Sequence, residues 1–229
     1  MKLLNTLFVA ILIFLTLPSQ TYAMIFEEEI FRYIPNDIEE DYWTYDEIMD
    51  FIYADIINGF EEEDGFYVYV RPDNKITRAE FVKTLVTALG LEVENRQNLI
   101  SFSDVKEDNW YCDYVNTANS LGIVNGKNNN QFAPNDFITR AEMAAILVHA
   151  FDKTIVFQDG HNNTFKDVGN LHWAFEEINK ASTVGIVQGK NANAFMPDEN
   201  ATRAEAIVMI YRALNLETVE LPNEKDLVQ

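Results

Sequence analysis

The chain has 229 residues, with 37 acidic side chains against 17 basic ones and a formal charge of −20. That balance excludes nucleic acid as the partner, because such binding rests on Lys and Arg neutralising phosphates. Any anionic ligand must be met by cations placed locally against the global field. The single cysteine, Cys112, excludes an internal disulfide framework. It reads as a small apolar filler rather than a nucleophile, and argues against a eukaryotic secreted domain.

Lys2 opens the chain, an almost unbroken apolar run follows from Leu3 to Leu17, and Pro18-Ser19-Gln20 breaks it. Thr21 and Ala23 place small residues at a cleavage site, so residues 1–23 have the layout of a secretory signal peptide. The alternative, a membrane anchor, is disfavoured because the run is shorter than the roughly 20 residues that cross a bilayer. The expectation is an exported chain with no transmembrane span after signal removal.

The rest of the sequence is a threefold repeat. Thr-Arg-Ala-Glu occurs at Thr77–Glu80, Thr139–Glu142 and Thr202–Glu205. Each copy is preceded by an aspartate (Asp37, Asp104, Asp167) and, six residues later, a tryptophan (Trp43, Trp110, Trp173). Next come Ile57-Asn58-Gly59, Val124-Asn125-Gly126 and Val187-Gln188-Gly189, then Pro72, Pro134 and Pro197. The repeats are placed at residues 34–91, 102–152 and 165–216, with 217–229 as an acidic tail. The first copy is the most diverged. It carries Asp55 where the others have Gly122 and Gly185, and an acidic insertion, Glu61 to Tyr67.

Within each repeat the pattern predicts a helix, a turn-rich loop holding at most a very short extended piece, and a second helix. Ile48, Phe51, Ile52 and Ile56 suggest one face of the first helix. Val115, Ala118 and Leu121, then Ile178, Ala181 and Val184, suggest the same face in the later copies. The second helices show Phe81, Val82, Leu85, Val86 and Leu89, then Met143, Ile146, Leu147 and Ala150, then Ile207, Ile210, Tyr211 and Leu214, at three- and four-residue steps. Thr-x-x-Glu predicts a capping box at each start.

The capping box accounts for the threonine and glutamate but not for the arginine, which stands beside the positive end of the helix dipole. Two roles are open for Arg78, Arg140 and Arg203: a salt bridge to another repeat, with Asp37, Asp104 or Asp167 as partner, or contact with a ligand. The tryptophans either pack in the core or offer a flat face to a sugar ring.

Phe102-Ser103-Asp104-Val105, Trp110, Gly122-Ile123-Val124-Asn125-Gly126, Phe132-Ala133-Pro134 and Ile138-Thr139-Arg140-Ala141-Glu142 together resemble one S-layer homology motif. Phe165 to Val168, Trp173-Ala174, Gly185 to Gly189, Phe195-Met196-Pro197 and Thr202 to Glu205 resemble another, and the first copy matches through Asp37-Ile38, Trp43, Ile57 to Gly59, Pro72 and Ile76 to Glu80. The resemblance implies a mainly α fold, three tandem helix-loop-helix repeats in a pseudo-threefold spindle around a small helix bundle. It implies a non-catalytic module at the cell wall or S-layer of a bacterium, without cofactors. The implied partner is secondary cell-wall polysaccharide or a peptidoglycan-linked glycan, often pyruvylated, bound in grooves between repeats. The implied ligand residues are Arg78, Arg140, Arg203, Trp43, Trp110, Trp173, Asp37, Asp104 and Asp167. A guanidinium suits a ketal carboxylate, and a helix amino terminus favours the same anion.

No enzyme signature accompanies this pattern. His149, His161 and His172 lack metal-ligand spacing, no phosphate loop or nucleophile elbow is present, and no segment fits an EF-hand. The alternative function is protein–protein assembly with an envelope partner and no glycan. Its candidate surface is the first-repeat insertion with Phe66, Tyr67 and Tyr69.

Overall fold

A computed structural model describes residues 35–61, 68–93, 102–127, 130–157 and 165–217. The leader, the insertion at 62–67, His161 and the tail after residue 217 lie outside the described residues. Among the described residues the chain is helical: α1 Tyr45–Tyr53, α2 Arg78–Ala88, α3 Cys112–Ser120, α4 Arg140–Phe151, α5 Phe175–Thr183 and α6 Arg203–Glu217. Two two-residue strands, β1 Phe60–Glu61 and β2 Val68–Tyr69, pair antiparallel in the first repeat. In the later repeats the same loop carries single bridges, Lys127 to Gln131 and Asn191 to Ala194. This is the short extended piece expected between the two helices of each repeat.

Two compact units form. Among the described residues, one comprises those up to Tyr45 together with those of Asn58–Arg71, the other Asp46–Ile57 and those from Pro72 onward. The first holds the strand pair, and the Arg71 guanidinium lies 4.6 Å from the centre of the Phe60 ring. The second holds α2 to α6 and most of α1.

The second helix of each repeat begins as the sequence predicts. Thr77 and Thr139 form complete capping boxes with Glu80 and Glu142. Thr202 makes the same pair of bonds with Glu205, at 3.0 and 3.2 Å. A helix start leaves four backbone N–H groups without helical partners, and here all four are satisfied. The glutamate accepts from the threonine N–H, and the threonine hydroxyl accepts from the glutamate N–H. The other two donate to the next repeat. Arg78 and Ala79 N–H reach Asp136 and Pro134 carbonyls, Arg140 and Ala141 reach Glu199 and Pro197, and Arg203 and Ala204 reach Asn74 and Pro72.

The second unit therefore closes on itself. Ile138 N–H donates to Ile76 O, Ile76 N–H to Ala201 O, and Ala201 N–H to Ile138 O, at 3.0, 3.2 and 2.9 Å. This ring of bonds gives the three repeats equivalent neighbours, in agreement with the pseudo-threefold expectation. The second helix of one repeat packs on the first helix of the next, α2 on α3 and α4 on α5, while α2 and α4 both pack on α6. Phe81, Leu85, Ile138, Met143, Leu147 and Ile178 fill the interior, fully buried.

The first helices end earlier than the apolar pattern suggests. Asp55, Gly122 and Gly185 adopt positive φ at 56°, 74° and 86°. That left-handed turn ends the helix, and Ile56 and Ile123 N–H return to Phe51 and Ala118 carbonyls across it. Ile56 thus lies beyond α1, and Leu121, counted above as a face residue, is exposed.

Candidate functional site: the junctions between repeats

Each repeat contains an aspartate that clasps its own backbone. Asp104 accepts from Phe132 and Ala133 N–H at 2.8 and 2.7 Å, and Asp167 from Phe195 and Met196 N–H at 2.9 and 2.7 Å. Asp37 does the same to Val70 and Arg71 at 2.9 and 2.6 Å. The second residue of each pair has positive φ: Ala133 57°, Met196 60°, Arg71 54°. That backbone costs a non-glycine residue about 1–2 kcal/mol. Two charge-assisted bonds to one carboxylate offset it. Arg78 and Arg140 do not form the expected ion pair with Asp104 or Asp167, because these carboxylates clasp the backbone instead.

Arg78 and Arg140 take carbonyls of the segments that Asp104 and Asp167 clasp. Arg78 Nε donates to Phe132 O at 2.8 Å, and its Nη1 lies 3.0 Å from Glu142 Oε1. Arg140 donates through Nε to Phe195 O at 2.8 Å, through Nη1 to Glu205 at 2.8 Å and through Nη2 to Gln188 O at 2.7 Å. Both guanidinium planes lie over the ring of the residue whose carbonyl they bind, 4.9 Å from Phe132 and 4.6 Å from Phe195. Arg203 Nη1 stands 3.7 Å from Glu80. The salt bridge between repeats therefore exists, with the capping glutamate of the next repeat as its partner. One carboxylate does two jobs: Oε2 caps its own helix and Oε1 receives the preceding arginine.

Arg78 and Arg140 are each 3% exposed. Burial pulls the Arg140 guanidinium below its ordinary value, against the upward pull of Glu205 and Glu199. Burial also opposes ionisation of Glu205. Hydrogen bonds from Lys190 and Thr202 N–H, with the Arg140 charge, outweigh it and hold this carboxyl below its usual range.

The tryptophans are not core residues. Trp43, Trp110 and Trp173 are 56%, 56% and 61% exposed. Lys83 of α2 reaches over Trp110, its Nζ 5.8 Å from the ring centre, and the His172 ring stacks beside Trp173. His149 is exposed, whereas Cys112 is buried and free, its thiol pushed up by burial.

Sequence reasoning missed two lysines. Lys127 Nζ lies 3.1 Å from Asp136 and 3.5 Å from Glu142. Lys190 Nζ lies 3.3 Å from Glu199 and 2.7 Å from Glu205. The signal was legible as Gly126-Lys127 and Gly189-Lys190 at the same place in two repeats. Both glycines are required by packing, since a Cβ there would meet the Phe102 ring at 2.6 Å or the Phe165 ring at 2.8 Å.

A cleft of about 540 Å³ lies at the other end of α2 and α4, lined by Leu89, Leu121, Ile123, His149, Asp152 and Lys153 among others. It is roughly 16 Å along the helices from the arginines and shares no residue with the junctions. Among the described residues no helix is long and apolar enough to cross a membrane.

Comparison with known proteins gives the repeat a name. The S-layer homology domain matches three times, at residues 36–82, 101–144 and 164–207. An amylopullulanase of Thermoanaerobacterium thermosulfurigenes is 35% identical over 182 residues, covering 78% of this chain and 9% of that protein. An S-layer protein of Bacillus thuringiensis subsp. finitimus is 28% identical, covering 76% and 20%. A cellulosome-anchoring protein of Acetivibrio thermocellus is 28% identical, covering 63% and 33%. The chain thus spans a third or less of each of these relatives. The three matches cover more than half of its residues, and the chain belongs to the S-layer homology domain family.

Proposed function

We propose that this chain is a non-catalytic anchoring module of the bacterial cell surface, holding secondary cell-wall polysaccharide or a peptidoglycan-linked glycan at the junctions between repeats. The observation that carries this reading is that each repeat presents one exposed tryptophan and contributes one arginine to an ion pair with a capping glutamate. A tryptophan face suits the apolar side of a sugar ring, and the charged junction suits an acidic sugar such as a pyruvate ketal. In this reading Trp43, Trp110 and Trp173 touch the glycan. Arg78, Arg140 and Arg203, with Asp37, Asp104 and Asp167, shape the wall against which it rests. Relatives named S-layer protein and cellulosome-anchoring protein support a place in the cell wall or S-layer.

The test is retention of the folded protein by purified cell-wall sacculi, with and without their secondary polysaccharide. A Trp110→Ala, Trp173→Ala variant runs alongside. The expected outcome is retention that needs the polysaccharide and weakens at least tenfold in the variant. Polysaccharide-independent retention would instead favour assembly with an envelope protein, a reading supported by Leu171 and Met196, both exposed apolar side chains of the third repeat.

A further inference from the structure

At the two junctions where the arginine is fully buried, it is not available to a ligand. Arg140 Nε, Nη1 and Nη2 all donate to protein oxygens at 2.8 Å or less, and one face of the guanidinium is covered by the Phe195 ring. The helix amino termini are equally committed, with their N–H groups paired to the capping box and to the carbonyls of the next repeat. Arg78 is held in the same way through Nε and Nη1, by Phe132 O and Glu142, so at both junctions the guanidinium edge and the helix-start N–H groups are turned to protein acceptors.

Each of these junctions nevertheless has a second cation, and it is accessible. The side chains of Lys127 and Lys190 are 39% and 31% exposed. An ammonium has three donors. Lys190 Nζ lies 2.7 Å from the capping Glu205 and Lys127 Nζ 3.5 Å from the capping Glu142, carboxylates that the adjacent arginine and the helix cap also hold. Each also faces a more exposed acid: Lys127 donates to Asp136, 61% exposed, and Lys190 stands 3.3 Å from Glu199, 40% exposed. The inner carboxylate is fixed by several partners. The outer one is held by fewer: Asp136 is largely exposed, and Glu199 keeps Oε2 buried beside Lys190 without a hydrogen bond. While it is in place the four charges cancel. When it leaves, arginine and lysine together exceed the remaining glutamate by one positive charge, in a protein whose overall field is strongly negative.

We infer that Lys127 and Lys190, rather than the repeat arginines, are the cations that bind the carboxylate of an acidic sugar, with Asp136 and Glu199 as the placeholders it displaces. This inference rests on the glycan reading above and names its charge-recognising residues. It also distinguishes the repeats. In the first copy the lysine position is Phe60, and the position of Asp136 and Glu199 is Asn74, so neither member of the exchangeable pair is present. The chain then carries two carboxylate sites of this kind.

The experiment is calorimetric titration of the full chain with the 4,6-pyruvate ketal of a methyl hexoside, and with the same hexoside lacking the ketal. Lys127→Gln with Lys190→Gln should weaken ketal binding tenfold or more, and reduce its salt dependence, without lowering the melting temperature by more than a few degrees. Asp136→Asn with Glu199→Gln should tighten it, since the competing carboxylate is gone. Unchanged ketal affinity in the lysine variant, with wild-type binding intact, would overturn the lysine assignment and leave the glycan reading standing. Failure of the wild-type chain to bind either sugar, together with polysaccharide-independent retention on sacculi, would overturn both.

Discussion

The guanidinium of Arg140 joins three groups of the third repeat at once: two backbone carbonyls and a carboxylate that is itself a helix cap. Its removal strips a buried ion pair of one partner, which typically costs about 3 kcal/mol or more. Arg140→Ala should therefore lower stability by about 3 kcal/mol in urea denaturation, with the loss only partly recovered in Arg140→Lys, because an ammonium cannot span the same fork of acceptors. The pH profile identifies the mechanism. Glu205 is held below its ordinary 4.5 in the folded state, so its contribution is fully present above that value and is lost as pH falls through the folded value. Without Arg140 the carboxyl moves back toward its ordinary value, and the acid limb of the stability profile should become shallower. An equal acid slope in variant and wild type would remove Arg140 from the account. The sequence made this arginine conspicuous, because the dipole argument left it unexplained at the first helical position. Its partner was not legible. Glu205 already had a complete local reason to exist as a capping residue, and only the folded chain shows one carboxylate serving two repeats. The aspartates misled for the related reason that a conserved spacing to the tryptophan says nothing about the backbone N–H groups 28 and 29 residues later.

The helices were legible where local chemistry marks their ends and less so where apolar periodicity alone was followed. Thr-x-x-Glu fixed the start of α2, α4 and α6 to the residue. The first helices were extended too far, because Ile56 and Leu121 continue the apolar spacing while the backbone has already turned left-handed at or before the next position. The three repeats solve that turn with different residues. Gly122 and Gly185 adopt it without a side-chain penalty, and the exposed Asp55 adopts it at φ 56°. Aspartate tolerates this region better than most residues yet less well than glycine. Asp55→Gly should thus stabilise the protein by roughly 0.5–1 kcal/mol, the gain in backbone strain exceeding the greater entropy of glycine in the unfolded chain. Thermal unfolding at several salt concentrations checks this, because the substitution also removes one negative charge from an acidic protein. A stabilisation that vanishes at high salt would assign the effect to charge rather than to the backbone.

At the scale of the molecule, the ring of bonds among Ile76, Ile138 and Ala201 separates this chain from a linear repeat array. In a stacked array each unit meets only its neighbours in sequence, and removing an end unit leaves the others folded. Here the third repeat supplies Ala201 O to Ile76, Glu199 O to Arg140 and the face of α6 that covers both α2 and α4. It also takes the guanidinium of Arg140 through Phe195, Gln188 and Glu205. A fragment ending at residue 152 would expose the apolar flank that α2 and α4 turn toward α6, while leaving Arg140 without any of its three acceptors. Burying one large aliphatic side chain contributes about 1.5–3 kcal/mol, and domains of this size keep only about 5–15 kcal/mol in total. Uncovering several such side chains is enough to remove the fold. Residues 34–152 alone should therefore show no cooperative thermal transition, whereas adding residues 153–217 as a separate chain should restore helicity in a concentration-dependent way. A sharp melting transition in the two-repeat fragment would mean that stability resides in each repeat pair and that the ring closes without being required.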